Sequence, residues 1–371
     1  MEAPARGYLG TPERGGSVNN TSPVLIDSAD PFERGVQRAV ALGPALAASL
    51  AGYLELFEAV GLSAESIRDG AERTMIATEE WHADLATEMR GVADASGLAL
   101  WQIGALNART EILSGALGTK PGECSTIVNS FGSPIGVQTW DWHEELDAFW
   151  HLQRVTGTPR SFVGLTEMGI LSKVGMNDAG VGIFLNILGH TADRADGVPV
   201  HLVGARVLAE ATSLAEAVRI LDSAPVSTSS AITVVAPEGA VTVELSPVGA
   251  AIIEPSSGVL LHTNHFLEPR LSEGEKVGVY DPDSQLRYGV LTERVARGPL
   301  PDDALGLIPY LFSYPGDEAE LCCVPAEGAV LGQRWATLAT VAMDSSVRVM
   351  SVSAGSPLDA TPERLVSLRA G

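Results

Sequence analysis

The feature that most constrains this chain is a change of rhythm near residue 120. Before it, apolar residues recur at three- and four-residue spacing in the blocks 31–60, 63–95 and 98–117, the pattern of helices that bury one stripe. After it, short alternating or continuous apolar runs take over, bounded by Gly, Pro, Asn and Asp. Runs 124–131 and 135–140 flank Gly132-Ser133-Pro134, and 173–176 and 182–188 flank Asn177-Asp178-Ala179-Gly180. Further strands are expected at 151–155, 161–165, 231–236, 241–245, 250–253, 259–263, 335–343 and 347–352. Helices return at 200–209, 214–223, 285–297 and 302–312, with Ser213 and Glu216 spaced as a capping box. Successive hairpins interrupted by helices predict an α+β layered protein with mostly antiparallel sheet.

Composition narrows the function. The 371 residues carry a formal net charge of −22, which disfavours phosphate backbones and anionic membrane faces, so neither nucleic acid nor membrane is an expected partner. No run of about 18 apolar residues occurs, and the start lacks the basic and apolar segments of a secretion leader. Three cysteines, two of them adjacent, make no disulfide framework, so a cytoplasmic location is expected. There is no GxGxxG after a strand, no Walker A and no HExxH, and the histidines lack zinc-ligand spacing; neither cofactor nor metal is expected.

The chemistry concentrates where the rhythm changes, at Pro121–Ser130, PGECSTIVNS. A lone cysteine usually behaves as a small buried hydrophobe. Cys124, however, starts a strand after a loop, has hydroxyls at Ser125 and Thr126, and faces a hairpin whose second strand ends near Asp141. A thiol there can attack the carbonyl of Glu123; acyl shift and hydrolysis would then free an α-amine on Cys124. With a pKa of about 8, that amine suits a base for the same residue's thiol.

The block CSTIVNSFGSPIGVQTWDWHEEL resembles the β-chain start of the acyl-CoA:6-aminopenicillanate acyltransferase family, self-processing N-terminal-nucleophile hydrolases also classed as C45 peptidases. TEMGILSKVGMNDAGVGIFLNIL, VTVELSP, LLHTNHFLEP and GQRWATLATVAMD resemble further family blocks in family order. The resemblance implies a four-layer αββα sandwich cut at Glu123–Cys124. Residues 1–30 would be a flexible segment, 31–123 a helical α-chain region, 124–355 the β-chain region of the same domain, and 356–371 a tail. The two chains would stay associated. The resemblance also implies Cys124 as nucleophile, Asp141 as holder of the freed amine, Asn264 as oxyanion donor and Arg334 as an active-site arginine. Thr126 and Ser246 would support, and Trp140, Trp142 and Asn186 would line the substrate pocket, although sheet packing explains the tryptophans equally well. The implied reaction is hydrolysis or transfer of a small amide or thioester acyl group, with acyl-CoA a candidate substrate and no cofactor.

Two departures stand out: Glu123 precedes the cysteine where the fungal enzyme has glycine, and Cys323 stands where the family has arginine. Two other readings are an uncut, inert relative that acts as a binding protein and a thiol hydrolase with a separate histidine base.

Overall fold

The computed structural model describes residues 22–116, 124–278 and 283–371. An initial strand β1 (Val24–Asp27) leads into helices α1 (Pro31–Leu42), α2 (Pro44–Ala59), α3 (Ala64–Trp81), α4 (Ala83–Ser96), α5 (Leu100–Asn107) and α6 (Arg109–Leu113). Strands β2 (Thr126–Asn129), β3 (Ile135–His143), β4 (Trp150–Thr156), β5 (Phe162–Glu167), β6 (Val174–Asn177) and β7 (Gly182–Ile187) follow. Helices α7 (Val200–Glu210) and α8 (Leu214–Asp222) precede β8 (Ser230–Ala236), β9 (Gly239–Ser246), β10 (Gly249–Ile253) and β11 (Val259–His262). The short α9 (Pro269–Ser272), then α10 (Asp283–Val295), lead to β12 (Trp335–Asp344), β13 (Val349–Ala354) and β14 (Val366–Arg369).

The strands form two sheets, one of order β1-β4-β5-β6-β7-β8-β9-β10 and one of order β11-β2-β3-β12-β13-β14. Among the described residues β1 runs parallel to β4, and the other neighbours run antiparallel. The sheets pack face to face where β3 meets β7: Gln138 Nε2 donates to the Leu185 carbonyl at 3.1 Å. A Cβ on Gly136 would sit 2.7 Å from the Phe184 ring. Helices α7 and α8 cover the outer face of the eight-stranded sheet, while α10 and the 3-10 segment Leu305–Leu311 cover the six-stranded one. The arrangement is the expected αββα sandwich. Strand alternation feeds both interfaces: Val128 and Trp140 enter the main core, whereas Ile127, Ile135 and Val137 join Leu291, Leu307 and Leu311 in the second.

The helical blocks are finer-grained than their periodicity suggests. The block 31–60 breaks at Gly43, whose φ of +52° suits glycine, with Pro44 opening the next helix. The block 63–95 breaks at His82, which is extended. No single described helix is long and apolar enough to cross a membrane; α1 and α2 reach that length only as a pair bent by 88°. Residues 302–312, expected as an α-helix, contain a 3-10 segment, because Pro309 lacks the N–H that an α-turn would use. Residues 24–27 lie in the segment expected to be flexible, yet form an edge strand that buries Ile26; residues 366–369, expected as tail, extend the other sheet. Ser213 caps α8 by accepting from Glu216 N at 3.2 Å, but the Glu216 carboxylate returns to Thr212 N instead of to Ser213 N, so the capping box is half formed.

Helices α1 and α4 cross at backbone contact. A Cβ on Gly35 would lie 2.0 Å from the Glu88 carbonyl, and one on Gly91 2.0 Å from the Phe32 carbonyl. Arg34 and Arg38 clamp Glu88 across this crossing at 2.8 and 2.6 Å. Gly91→Ala must push the helices apart, which is expected to cost about 1–3 kcal/mol. Urea unfolding of the variant, compared with a Gly289→Ala control at an exposed helical position with open space around it, checks this; equal midpoints would contradict the packing described.

Candidate active site

The β2–β3 hairpin positions Cys124. Thr126 pairs with Gln138, and beyond that ladder Ser125 N donates to Thr139 Oγ1 at 3.0 Å while Thr139 N donates to the Ser125 carbonyl at 3.1 Å. This lock places Cys124 beside Trp140 and Asp141, and the three line a narrow cleft with Trp142, Lys173 and Arg109, closed by Leu185 and Ile187 of β7. Glu123, the other half of the expected cut, lies outside the described residues.

The main chain of Cys124 is gripped from behind. Its carbonyl accepts from Asn186 Nδ2 at 2.9 Å and from an Arg287 guanidinium N–H at 3.2 Å. Arg287 also donates to Ser125 Oγ and to Asn264 Oδ1, each at 3.0 Å, and its Nε reaches Asp283 at 2.6 Å. Thr126 donates to Asn186 Oδ1 at 2.8 Å and accepts from Gln138 at 2.7 Å, so it fixes the asparagine that holds the cysteine carbonyl. Asn264 donates its side-chain N–H to the Ile187 carbonyl at 2.8 Å. The His-Thr-Asn-His turn is held by Glu244, which binds His262 at 3.0 Å, and by Ser284, which bonds Asn264 N at 2.7 Å and His265 Nδ1 at 2.8 Å.

The surroundings of the thiol favour its protonated form. Burial, reinforced by the Asp141 charge, pushes Cys124 up to about 11, against a hydrogen bond from the Asp141 backbone and the charges of Lys173 and Arg287. Asp141 Oδ2 accepts from Thr139 Oγ1 at 3.4 Å.

Below the cleft lies a buried ion cluster. Glu167 accepts from Arg109 at 2.5 Å, from Lys173 Nζ at 2.8 Å and from Tyr53. Despite burial, Arg109 and Lys173 hold the Glu167 carboxyl far below its ordinary range. Lys173 itself is drawn down to about 7, chiefly by burial, against the pull of Glu167. Both tryptophans serve this cluster as well as the cleft: Lys173 Nζ is 3.7 Å from the Trp140 ring centre, and the Arg109 guanidinium is 3.8 Å from that of Trp142. Both rings thus face the cleft on one side and the buried cations on the other.

Of the residues expected at the site, Cys124, Asp141, Trp140 and Trp142 share the cleft, and Thr126, Asn186 and Asn264 stand behind it through hydrogen bonds. Two do not join them. Arg334 lies opposite the end of β3 and spends its guanidinium on Glu144 and Glu145; the guanidinium on the cysteine carbonyl belongs to Arg287. Ser246 closes the β9–β10 turn with its Oγ on Val248 N at 3.4 Å, on a strand separated from β7 by β8. The Cys323 backbone exchanges hydrogen bonds with Thr337, the residue paired with Asp141.

Sequence reading missed Arg287, Lys173, Arg109 and Glu167. Lys173 did carry a signal, as one of three lysines in a chain otherwise supplied with arginine and set directly before an apolar strand.

The buried histidines predict an acid response. Burial lowers His143 and His151 to about 3, and His201 well below 6.5. Folded-state values below the unfolded one contribute stability that is fully present above about 6.5 and lost as pH falls toward 3. Glu111, raised to about 7 by burial, acts in the opposite sense, losing its contribution as pH rises from 4.5 through 7. His265, lowered to about 4 by burial, adds to the histidine side, and Asp193, raised by burial, to the Glu111 side; with four imidazoles against two carboxyls, the thermal midpoint is expected to fall between pH 6.5 and 4. A flat or rising midpoint would contradict the placement of these imidazoles.

Comparison with known proteins bears on this geometry. Residues 130–308 match the family model described as acyl-coenzyme A:6-aminopenicillanic acid acyl-transferase, a stretch that contains Asp141, Lys173, Asn264 and Arg287 and begins just after Cys124. The 40 kDa form of acyl-coenzyme A:6-aminopenicillanic-acid-acyltransferase from Emericella nidulans is 30% identical over 210 residues, 54% of this chain and 57% of the relative. The chain thus spans somewhat more than half the length of that curated relative. Among solved structures, penicillin V acylase from Agrobacterium tumefaciens matches with a TM-score of 0.39 at 13% identity, over 62% of this chain and 83% of that one. A variant of conjugated bile acid hydrolase from Clostridium perfringens matches with a TM-score of 0.41 at 13% identity, over 66% and 92%. Residues 130–308 are thus similar to the acyl-coenzyme A:6-aminopenicillanic acid acyl-transferase family, and the likeness to the curated relative extends over 54% of the chain.

Proposed function

We propose that the chain cuts itself before Cys124 and then moves acyl groups between small molecules through an acyl-Cys124 thioester. The observation that carries this reading is the position of Cys124: the first residue of the strand region, its thiol in a cleft beside Asp141 and its carbonyl held by two donors. The thiol, raised to about 11, needs a base on site. The α-amine that a cut would free is that base in this reading, being attached to the same residue, with Asp141 as its holder. A separate histidine base has no support, because His143 and His201 are held so far below 7 that they bind protons poorly at neutral pH.

Asn264 is the oxyanion donor in this reading, positioned by Arg287 and released from the Ile187 carbonyl when substrate enters. Such a donor is worth about 10²–10³ in rate. Cutting would leave the two chains joined, since α2, α5 and α6 share one core with the strands and Arg109 ties α6 to Glu167 of β5. Water as acceptor gives amide hydrolysis; an amine gives transfer. The chemistry calls for no cofactor, and acyl-CoA is a candidate donor because the curated relative is an acyl-CoA-dependent acyltransferase by name. Three cysteines in 371 residues, two of them adjacent, make no disulfide framework, which favours a reducing compartment such as the cytoplasm.

The test is acyl trapping. Brief incubation with phenylacetyl-CoA or a phenoxyacetyl amide, quenched in acid, should add one acyl mass to the peptide that begins at Cys124. Turnover of either compound with no acyl mass on that peptide would sink the thioester reading.

A further inference from the structure

The α-amine explains the base of the finished enzyme, but not that of the chain which first makes the cut. Until the Glu123–Cys124 bond breaks, the Cys124 nitrogen is an amide and cannot take a proton from the thiol. The cut therefore needs a second base, drawn from side chains already at the cleft. We propose that Lys173 is that base: its amine takes the Cys124 thiol proton during self-cleavage. The proposal rests on the self-cutting function argued above.

The geometry supplies the arrangement. Lys173 Nζ shares the cleft with the Cys124 thiol, anchored at 2.8 Å by Glu167 and seated 3.7 Å from the Trp140 ring centre. One ion-pair bond leaves further nitrogen valences for the cleft. The groups that face Lys173 are Glu167 from β5, Arg109 from α6, His201 from α7 and Cys124 itself, with Asp141 across the cleft. Arg109 cannot release a proton, and His201 stays neutral, a poor acceptor. Glu167 is held far below its ordinary range by Arg109 and Lys173, and the Asp141 charge disfavours the thiolate beside it. Lys173, drawn down to about 7 by burial and by the neighbouring Arg109, lies closest to the thiol's raised value while still free of its proton in a large fraction of molecules at neutral pH. The two groups also couple, since each charge favours the other.

The step balances. The thiol proton passes to the Lys173 amine as Sγ bonds to the Glu123 carbonyl carbon. The resulting ammonium returns that proton to the Cys124 nitrogen as the carbon–nitrogen bond breaks, which leaves a thioester and a free α-amine. Water then hydrolyses the thioester, and Lys173 ends unchanged. In the finished enzyme its charge would remain beside the nucleophile while the α-amine takes over as base.

The test is the rate of the cut itself. Wild type, Lys173→Arg and Lys173→Met are made by cell-free translation, chased at pH 6 to 10 and resolved on denaturing gels. Wild-type cutting should accelerate through about pH 7 and then level. Lys173→Arg keeps the Glu167 ion pair but cannot lose its proton, so its cutting should slow by about 10²–10⁴-fold and climb steadily with pH without levelling. Lys173→Met should also be slow. Either variant cutting at the wild-type rate with the wild-type pH profile would overturn the assignment while leaving self-cutting intact. Wild type that never cuts would remove the self-cutting reading and this proposal together. Where a variant fails to fold, the wild-type profile decides: a plateau above pH 7 supports Lys173, and a rise continuing to pH 10 contradicts it.

Discussion

Cys124→Ala is expected to abolish acyl transfer, with a loss on the order of 10⁶ in turnover, as removal of an essential nucleophile does elsewhere. The same change should leave the fold nearly untouched. Cys124 is buried, but the substitution removes only a sulfur atom from a small side chain, and the bonds that fix its position run through its carbonyl and through Ser125. The stability cost should stay at about 1 kcal/mol, the middle of the range for point variants. The combination is diagnostic. A stable, inactive variant separates chemistry from architecture, whereas a variant that retains more than about a tenth of wild-type turnover would place the nucleophile elsewhere. Assays on a phenylacetyl thioester and on an acyl amide, beside thermal unfolding, measure both quantities.

The second large effect is expected at Glu167. It is the sole carboxylate bonded to both Arg109 and Lys173 among the described residues, and all three side chains are almost wholly buried, at 3%, 1% and 4% exposure. Glu167→Gln keeps the shape and removes the charge, which leaves Arg109 unpaired out of water and takes from Lys173 the carboxylate that favours its charged form. Breaking a buried pair in this way costs about 3–5 kcal/mol. Tyr53 would also lose its charged acceptor, and with it the hydroxyl that receives Trp142 Nε1 at 2.9 Å would be less well held. Adding Lys173→Met to Glu167→Gln removes a buried polar group that has lost its partner and should recover part of the loss, because the two side chains touch and are not additive. Urea unfolding of the single and double variants tests this. A Glu167→Gln cost below 1 kcal/mol, or a double variant weaker than the sum of its parts, would contradict the cluster as described.

How far the sequence spoke depended on the range of each interaction. Helices and strands were legible because their cause is local: the alternation in IGVQTWDWH and the spacing in α3 or α7 lie within the segment itself. Breaks were less legible. Gly43-Pro44 is a strong stop signal inside an unbroken apolar rhythm, and periodicity outweighed it. Strands as short as VLID and VSLR carry too few residues for a period, and their neighbours β4 and β13 supply the reason they are strands at all.

The site divides along the same line. Cys124 and Asp141 could be brought together on paper, because a hairpin joins them. Arg287 meets the Cys124 carbonyl from 163 residues away, and Arg109 meets Glu167 from 58; no local pattern encodes either contact. Arg334 shows the converse. A block resemblance implied an active-site arginine, but the residue's surroundings, Glu144 and Glu145 at the end of β3, engage its charge instead.

The central claim is that the chain divides before Cys124, and the intact mass of freshly purified, reduced wild-type protein tests it most directly. The account predicts two species that sum to the 38.7 kDa chain plus one water, the larger with 248 of the 371 residues (371 − 123) and with Cys124 as its first residue on N-terminal sequencing. A single species at 38.7 kDa would contradict it. Cys124 would then have no free α-amine, and the inert, uncut relative would be the better description of this protein.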